Sequence, residues 1–174
     1  MTVGLFAKLH ATGNDFLVHQ ASEPLGPEVA AALCDRHRGV GADGLITLLP
    51  GAAGADCAMT LRNADGGSAE MSGNGLRCLA YVAARAGLGT LDSMTVDTVA
   101  GRRAVALQRD ADGVVVGADV DMGAVSFDPV AIGLDAHEAD DLDATVHGVT
   151  YHGDAAGMGN PHFVLFVDDP DTAR

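Results

Sequence analysis

The stretch with the clearest chemical potential begins in a polar turn at Asn63 and leads into an apolar segment of helical period. Between them lie Ser72, Gly73, Asn74 and Gly75. The first turn of a helix leaves backbone N–H groups without partners, so we predict that the Gly-Asn-Gly element binds an anion or carboxylate. Ser72 comes just before these donors, where a proton-transfer group experiences the positive end of the helix dipole. The alternative is a glycine-rich helix start that Ser72 simply caps.

Four motifs together resemble those of diaminopimelate epimerases, and they follow that family's order along almost the whole chain. Ser72 is the main departure, because it stands where the family carries its first catalytic cysteine. The motifs are Gly-Asn-Asp-Phe at 13–16, Cys-Asp-Arg-His-Arg-Gly-Val-Gly-Ala-Asp-Gly at 34–44, Asn-Ala-Asp-Gly at 63–66 with Met-Ser-Gly-Asn-Gly-Leu-Arg-Cys at 71–78, and Gly-Asn-Pro-His at 159–162.

The resemblance implies an isomerase that needs neither cofactor nor metal and interconverts LL- and meso-diaminopimelate for lysine and peptidoglycan synthesis. Such an inversion needs two proton-transfer groups on opposite faces of the α-carbon, and donors that stabilise the carbanion. A thiol at a helix N-terminus suits this task, whereas a serine hydroxyl is a far weaker acid. We therefore expect Ser72 to impair the reaction. Two alternatives stay open: a one-base isomerase or dehydratase of the same fold, and a catalytically silent amino-acid-binding protein.

The resemblance also implies roles for individual residues. Ser72 and His162 are the catalytic residues, and His162 is the histidine that assists the first proton-transfer group. The alternative for His162 is a histidine that begins a strand and is hydrogen-bonded for structure. Asparagine can offer a donor and an acceptor to an amino acid, or it can serve as a turn residue. Gly44 falls where some relatives make a side-chain amide contact, which we do not expect here. The substrate-binding residues implied are Asn14, Asn63, Gly73, Asn74 and Asn160.

Composition narrows the classes of partner. The net charge is −14, from 24 acidic and 10 basic residues, which argues against nucleic acid and anionic membranes. The resemblance implies a small-molecule substrate, diaminopimelate, as the partner, and a homodimer stays open. The start has no signal-peptide pattern and no apolar run reaches roughly 18 residues, so we expect a cytoplasmic protein. Cys34, Cys57 and Cys78 have neither disulfide nor zinc spacing and lie in apolar runs, so we expect them to be buried.

The resemblance implies an α+β fold of two similar half-domains, each a curved and mostly antiparallel sheet around a central helix. We expect the first half-domain at residues 1–116 and the start of an incomplete second one at 117–174. The Gly-Asn turn at Asn14 recurs at Asn160, 146 positions later, so the second counterpart of Ser72 would fall near position 218. We therefore expect this chain to be the front portion of a longer enzyme.

Periodicity and turn residues predict the elements that position these groups. A helix is predicted over 28–37, with Val29, Ala32 and Leu33 on one apolar face. The strongest helical pattern covers 76–86, and Gly87 provides its C-terminal stop. Residues 5–10 and 16–20 are predicted to form a hairpin, and residues 135–143 form a solvated connection. Further strands are predicted at 45–49, 57–61, 94–98, 103–108, 114–120, 145–152 and 162–167.

Overall fold

The computed structural model describes residues 5–169. The chain separates into two compact units, residues 1–122 and 123–174. Among the described residues, the first unit contains two helices and eight strands, and the second contains three strands. None of the helices in this range is long and apolar enough to cross a bilayer.

The first unit opens with the hairpin that the sequence predicts. β1 (Phe6–Ala11) and β2 (Asn14–Gln20) pair in antiparallel fashion. The two residues between them, Thr12 and Gly13, have φ values of 52° and 87°. A two-residue turn with positive φ at both positions matches the twist of the flanking strands. Glycine adopts this conformation freely, whereas the β-branched Thr12 is strained in it.

The first helix is shorter than predicted. α1 (Pro27–Cys34) ends three residues before the predicted end at position 37. The chain leaves the helix at Asp35, whose carboxylate accepts the backbone N–H groups of His37 and Arg38 at 2.7 and 3.0 Å. This local turn competes with a further turn of helix. Of the predicted apolar face, only Leu33 packs against the core, as a partly buried residue, while Val29 and Ala32 are exposed. The buried residues of the helix are Ala30 and Cys34.

The remaining strands of the first unit extend the hairpin into one sheet. They are β3 (Gly44–Pro50), β4 (Cys57–Asn63), β5 (Ser68–Ala69), β6 (Ser93–Thr98), β7 (Gly101–Arg109) and β8 (Val115–Val120). The strand order is β1-β2-β3-β4-β6-β7-β8, and β5 pairs with β4. The β2–β3 and β4–β6 pairs are parallel and the other pairs are antiparallel, so the predicted mostly antiparallel sheet is confirmed.

The second helix, α2 (Gly73–Arg85), is the central helix of the first unit. It contacts β1 and β8, the two end strands of the sheet, as well as strands between them, so the sheet curves around it. The helix begins three residues before its predicted start because Ser72 caps the first turn. The predicted apolar stripe is confirmed, and its fully buried members are Leu76, Leu79, Ala80 and Ala83.

The second unit contains a small antiparallel sheet. Its strands are β9 (Leu142–Val146), β10 (Val149–Gly157) and β11 (Pro161–Val164), in the order β11-β10-β9. The single strand predicted over 145–152 is wrong, because His147 and Gly148 have positive φ and form a turn between two strands. The solvated connection ends earlier than predicted, since β9 begins at position 142. The last predicted strand, 162–167, ends at position 164.

Candidate active site

Strand register brings predicted site residues to one end of the first unit. Phe16 of β2 is opposite Gly44 of β3, and Gly44 is opposite Asn63 of β4. Asn14 begins β2, so Asn14 and Asn63 lie at the same end of the sheet. From there β5 pairs back along β4, and the chain then reaches Ser72 at the start of α2.

A side-chain contact joins the start of α2 to the β1–β2 turn at this end of the sheet. Thr12 Oγ1 donates to Asn74 Oδ1 at 3.0 Å, and the Arg77 guanidinium donates to the same oxygen. A guanidinium carries donors only, so the amide oxygen of Asn74 must be the atom that faces Arg77. The NH₂ group of Asn74 has no acceptor among residues 5–169. The structure therefore brings together Asn14, Asn63, Ser72, Gly73 and Asn74.

The backbone at the start of α2 offers fewer anion donors than predicted. Ser72 has an extended backbone, with φ −146° and ψ 113°, and its Oγ accepts the N–H of Gly75 at 3.0 Å. Ser72 is thus the N-cap of the helix, and of the predicted Gly-Asn-Gly element the N–H of Gly75 is not available to an anion. Within the described part of the chain, the N–H groups of Gly73 and Asn74 have no acceptor. These two donors at the positive end of a helix suit a carboxylate.

Asn14 belongs to a network of charged side chains. Its Nδ2 donates to Asp43 Oδ2 at 2.7 Å. Arg36 Nη2 donates both to Asp43 Oδ1, at 2.8 Å, and to Asp15 Oδ1, at 2.6 Å. Lys8 Nζ lies 3.3 Å from Asp15 Oδ2. The hydrogen bond from Asn14 lowers the pKa of Asp43, and the Arg36 guanidinium holds the pKa of Asp15 well below its usual range. Both carboxylates are therefore ionised at neutral pH.

Arg36 and Asp43 lie inside one of the matching motifs, but their residue types alone indicate no role for them. The available signal is the pair of opposite charges that flanks the Gly-Val-Gly segment at 39–41. This signal does not identify Asn14 as the partner, because Asn14 and Asp43 are 29 positions apart and only the parallel β2–β3 pairing brings them together.

Asn63 of β4 and Gly44 of β3 are paired at this end of the sheet. The Asn63 backbone N–H donates to Gly67 O at 2.8 Å and its carbonyl accepts from Gly66, which fixes the β4–β5 turn. The Asn63 side chain is exposed and has no partner within residues 5–169. A Cβ atom at Gly44 would lie only 2.7 Å from the carbonyl oxygen of Arg62. A side chain at position 44, including an amide, would therefore force the neighbouring backbone to shift.

The other two predicted site residues lie in the second unit. Asn160 is in the turn before β11, and its carbonyl oxygen accepts the backbone N–H of Met158 at 3.1 Å. His162 is the second residue of β11, and its Nδ1 lies 3.1 Å from the same carbonyl oxygen. This contact agrees with the alternative interpretation of His162 as a histidine that begins a strand and is hydrogen-bonded for structure. The pairing of His162 with Ser72 stays a prediction.

No cysteine of the described chain is an activated thiol. Cys34, Cys57 and Cys78 are free and buried, as predicted. Burial raises the pKa of Cys57 and of Cys78 to about 11, and it also raises that of Cys34. Thiols with such pKa values are protonated and unreactive at neutral pH. Within residues 5–169, no group of three or more His, Cys, Asp or Glu side chains is arranged to hold a metal ion.

A cleft of about 440 Å³ lies between the two end strands of the sheet, β1 and β8. Its floor is the α2 surface at Arg77, Cys78 and Tyr81. Thr12 and Arg77 line this cleft and also bind Asn74, so the cleft borders the polar end of the first unit. The remaining walls come from residues 9–11 of β1 and 115–119 of β8, together with Gln108 of β7.

The sequence profile of diaminopimelate epimerases matches residues 6–127. The chain belongs to the diaminopimelate epimerase family. It is 41% identical over 175 residues to the diaminopimelate epimerase of Synechocystis sp., covering 96% of this chain and 61% of that protein. It is also 38% identical over 176 residues to the diaminopimelate epimerase of Heliobacterium modesticaldum, and this match covers 97% of this chain and 62% of that protein.

The fold also matches a solved structure. A hydroxyproline epimerase from Agrobacterium vitis, with bound trans-4-hydroxy-L-proline, superposes with a TM-score of 0.69 at 18% identity. The match covers 97% of this chain and 55% of that one. At this identity the likeness supports the α+β fold alone, and that predicted fold class is confirmed. The chain spans about three fifths of the length of the diaminopimelate epimerases that it matches.

Proposed function

We propose that the protein containing this chain is a diaminopimelate epimerase and that the chain carries the first half of its active site. The supporting observation is the start of α2, where Ser72 is followed by two unpaired N–H donors within a member of this family. The first compact unit would correspond to the half-domain that the sequence predicts over residues 1–116. The second unit would be the beginning of the other half-domain.

In this proposal the N–H groups of Gly73 and Asn74 bind the α-carboxylate of diaminopimelate. They withdraw charge from the α-carbon and so stabilise the carbanion that forms when the α-proton leaves. One group removes this proton and a second group delivers a proton to the opposite face, so the substrate is inverted with no net change in protons. Ser72 occupies the position of the first group, assisted by His162. Further contacts come from Asn14, Asn63 and Asn160.

The Ser72 hydroxyl is better suited to capping the helix than to transferring a proton. Its oxygen accepts the N–H of Gly75, and a hydroxyl is a much weaker acid than a thiol. We therefore propose that turnover is impaired while substrate binding persists, since the carboxylate donors are backbone groups. The alternatives of a one-base isomerase or dehydratase, or a silent amino-acid-binding protein, are compatible with the same hydrogen bond, and the test below distinguishes them.

The test is the Ser72→Cys variant of the whole protein that contains this chain. Solvent deuterium enters the α-carbon of LL-diaminopimelate whenever the α-proton is exchanged. We expect the variant to exchange roughly 10²–10⁴-fold faster than the serine protein, which is the scale of general acid–base catalysis, with an unchanged dissociation constant.

The matched control is Ser93→Cys, which adds a thiol at an exposed position at the start of β6. This control should exchange at the rate of the unmodified protein. Equal exchange by the Ser72→Cys variant and the serine protein would favour the one-base alternative. Binding without exchange in both proteins would identify a silent binding protein.

We further propose a cytoplasmic location, which suits an enzyme that makes precursors of lysine and peptidoglycan. Self-association into a homodimer stays a prediction, and sedimentation of the whole protein would test it.

A further inference from the structure

The orientation of the Asn14 amide is fixed by the chemistry of its partner. The two ends of an asparagine side chain have similar size, but an ionised carboxylate can only accept hydrogen bonds. The group of Asn14 that lies 2.7 Å from Asp43 Oδ2 must therefore be the NH₂ group. The carbonyl oxygen Oδ1 of Asn14 then points away from Asp43, and it has no donor among residues 5–169.

Asp43 is itself held on both carboxylate oxygens. Oδ2 also accepts the backbone N–H of Asp15 at 3.0 Å, and Oδ1 accepts from Arg36 at 2.8 Å. The Asp43 backbone N–H donates to the carbonyl oxygen of Asp15 at 2.9 Å. These bonds tie the carboxylate to β2 and to the turn after α1, and they hold it next to Asn14.

Asn74 shows the opposite arrangement at the same end of the unit. Its side-chain oxygen accepts hydrogen bonds from Thr12 and Arg77, and its NH₂ group has no acceptor among residues 5–169. One asparagine therefore offers an acceptor and the other offers a donor. An amino acid has a complementary pair of groups, an ammonium that donates and a carboxylate that accepts.

We propose that Asp43 is a positioning residue that holds Asn14 with its carbonyl oxygen toward the ligand, where it accepts a hydrogen bond from a substrate ammonium group. This inference rests on the proposed function, since it takes the ligand to be an amino acid. Asp43 itself does not contact the substrate. Without the carboxylate, the Asn14 amide can turn over and present its NH₂ group, which repels an ammonium donor.

The direct test observes the Asn14 side chain by NMR in the 174-residue chain. We expect a slowly exchanging Asn14 NH₂ signal that persists when meso-diaminopimelate is added, because the ligand contacts the other end of the amide. The Asp43→Asn variant should lose this protection, since an asparagine can face Asn14 with either group. Retention of the protection in the variant, or its loss on adding ligand, would overturn the proposal.

The control is Asp97→Asn. Asp97 also pairs with an arginine, Arg102, at 2.8 Å, and accepts a backbone N–H, that of Ala52, at 3.2 Å. It has no asparagine partner within the described residues, so its loss removes a similar ion pair from a site that plays no part in binding. The Asn14 signal and ligand affinity should be unchanged in this variant.

A double-mutant cycle separates positioning from general stabilisation. We expect Asp43→Asn to weaken meso-diaminopimelate binding by roughly 10- to 100-fold, the scale of a hydrogen bond to a charged group. In the Asn14→Ala background the same change should have little further effect, because Asp43 acts through Asn14. An equal loss in both backgrounds would contradict the proposal.

Two further outcomes are informative. If Asp43→Asn does not fold, Arg36→Gln replaces it, because this change frees Oδ1 of Asp43 and should reduce the Asn14 protection in part. If Arg36→Gln left the Asn14 protection unchanged, this result would count against the proposal.

If the whole protein that contains this chain did not bind diaminopimelate, the proposed function would be refuted. The NMR comparison would still decide whether Asp43 orients Asn14.

Discussion

At the scale of single residues, Arg36 links two segments that the sequence separates. Its guanidinium binds Asp15 in β2 and Asp43 just before β3, and both carboxyl groups have pKa values below their ordinary range. A carboxyl group whose pKa is lower in the folded state adds stability above its unfolded pKa. That stability disappears as the pH falls toward the folded value.

We therefore predict that acid weakens the first unit and that Arg36→Gln reduces this effect. Urea midpoints should fall between pH 7 and pH 3 in the unmodified chain. The variant should be less stable at pH 7, and the difference between the two proteins should shrink as the pH falls below about 4, where unfolded aspartates become protonated. A difference that is constant with pH would contradict the linkage. The same series at high salt should show a smaller difference at pH 7.

Position 44 gives a second prediction at this scale. A Cβ atom there would lie 2.7 Å from the Arg62 carbonyl oxygen on the neighbouring strand. We expect Gly44→Ala to reduce the free energy of unfolding by about 1–3 kcal/mol, as overpacking of a close backbone contact does. Urea denaturation measures the change. The control is Gly26→Ala, where the nearest atom is a side-chain oxygen 3.4 Å away and little loss is expected.

At the scale of elements, the sequence predicts best where one residue pattern decides the structure. The α2 stripe and the β1–β2 hairpin are confirmed because helical periodicity and a two-residue turn are local properties. The end of α1 is missed because a side chain, Asp35, offers the backbone a competing turn. The hairpin at His147-Gly148 is missed because a non-glycine residue there adopts positive φ.

In the candidate site, too, local motifs are predicted from the sequence better than contacts between distant residues. The motifs identify residues of the site, and the structure places five of them at one end of the first unit. The orientation of the Asn14 amide cannot be predicted from sequence, because it depends on Asp43, which is 29 positions away. The orientation of the Asn74 amide depends on Arg77, three residues further along α2. The occupation of the Gly75 N–H by Ser72 is predicted only as an alternative.

At the scale of the whole molecule, the first unit contains its own core. Its larger buried cluster draws on α2 and on strands between β2 and β8, and among residues 5–169 no member of this cluster lies beyond position 122. A domain with a continuous core of this kind can fold by itself. The second unit has a smaller sheet of three strands.

We predict that residues 1–122 fold alone. Circular dichroism with urea should show one cooperative transition for this fragment, and NMR should show dispersed signals. A fragment of residues 1–110 is the control, because it lacks β8 and with it the buried Val115 and Ala118. This shorter fragment should lose cooperativity. A non-cooperative transition in residues 1–122 would mean that the first unit needs the rest of the chain.

The contact of α2 with both end strands also determines when this unit can mature during synthesis. β1 leaves the ribosome early, but it packs against α2 in the same core as β8. Val120, the last residue of β8, emerges more than a hundred residues after Phe6. Contacts of such long sequence separation form slowly. Until β8 arrives, the apolar face of α2 stays partly uncovered, and the nascent chain is vulnerable to aggregation and to chaperone capture during that interval.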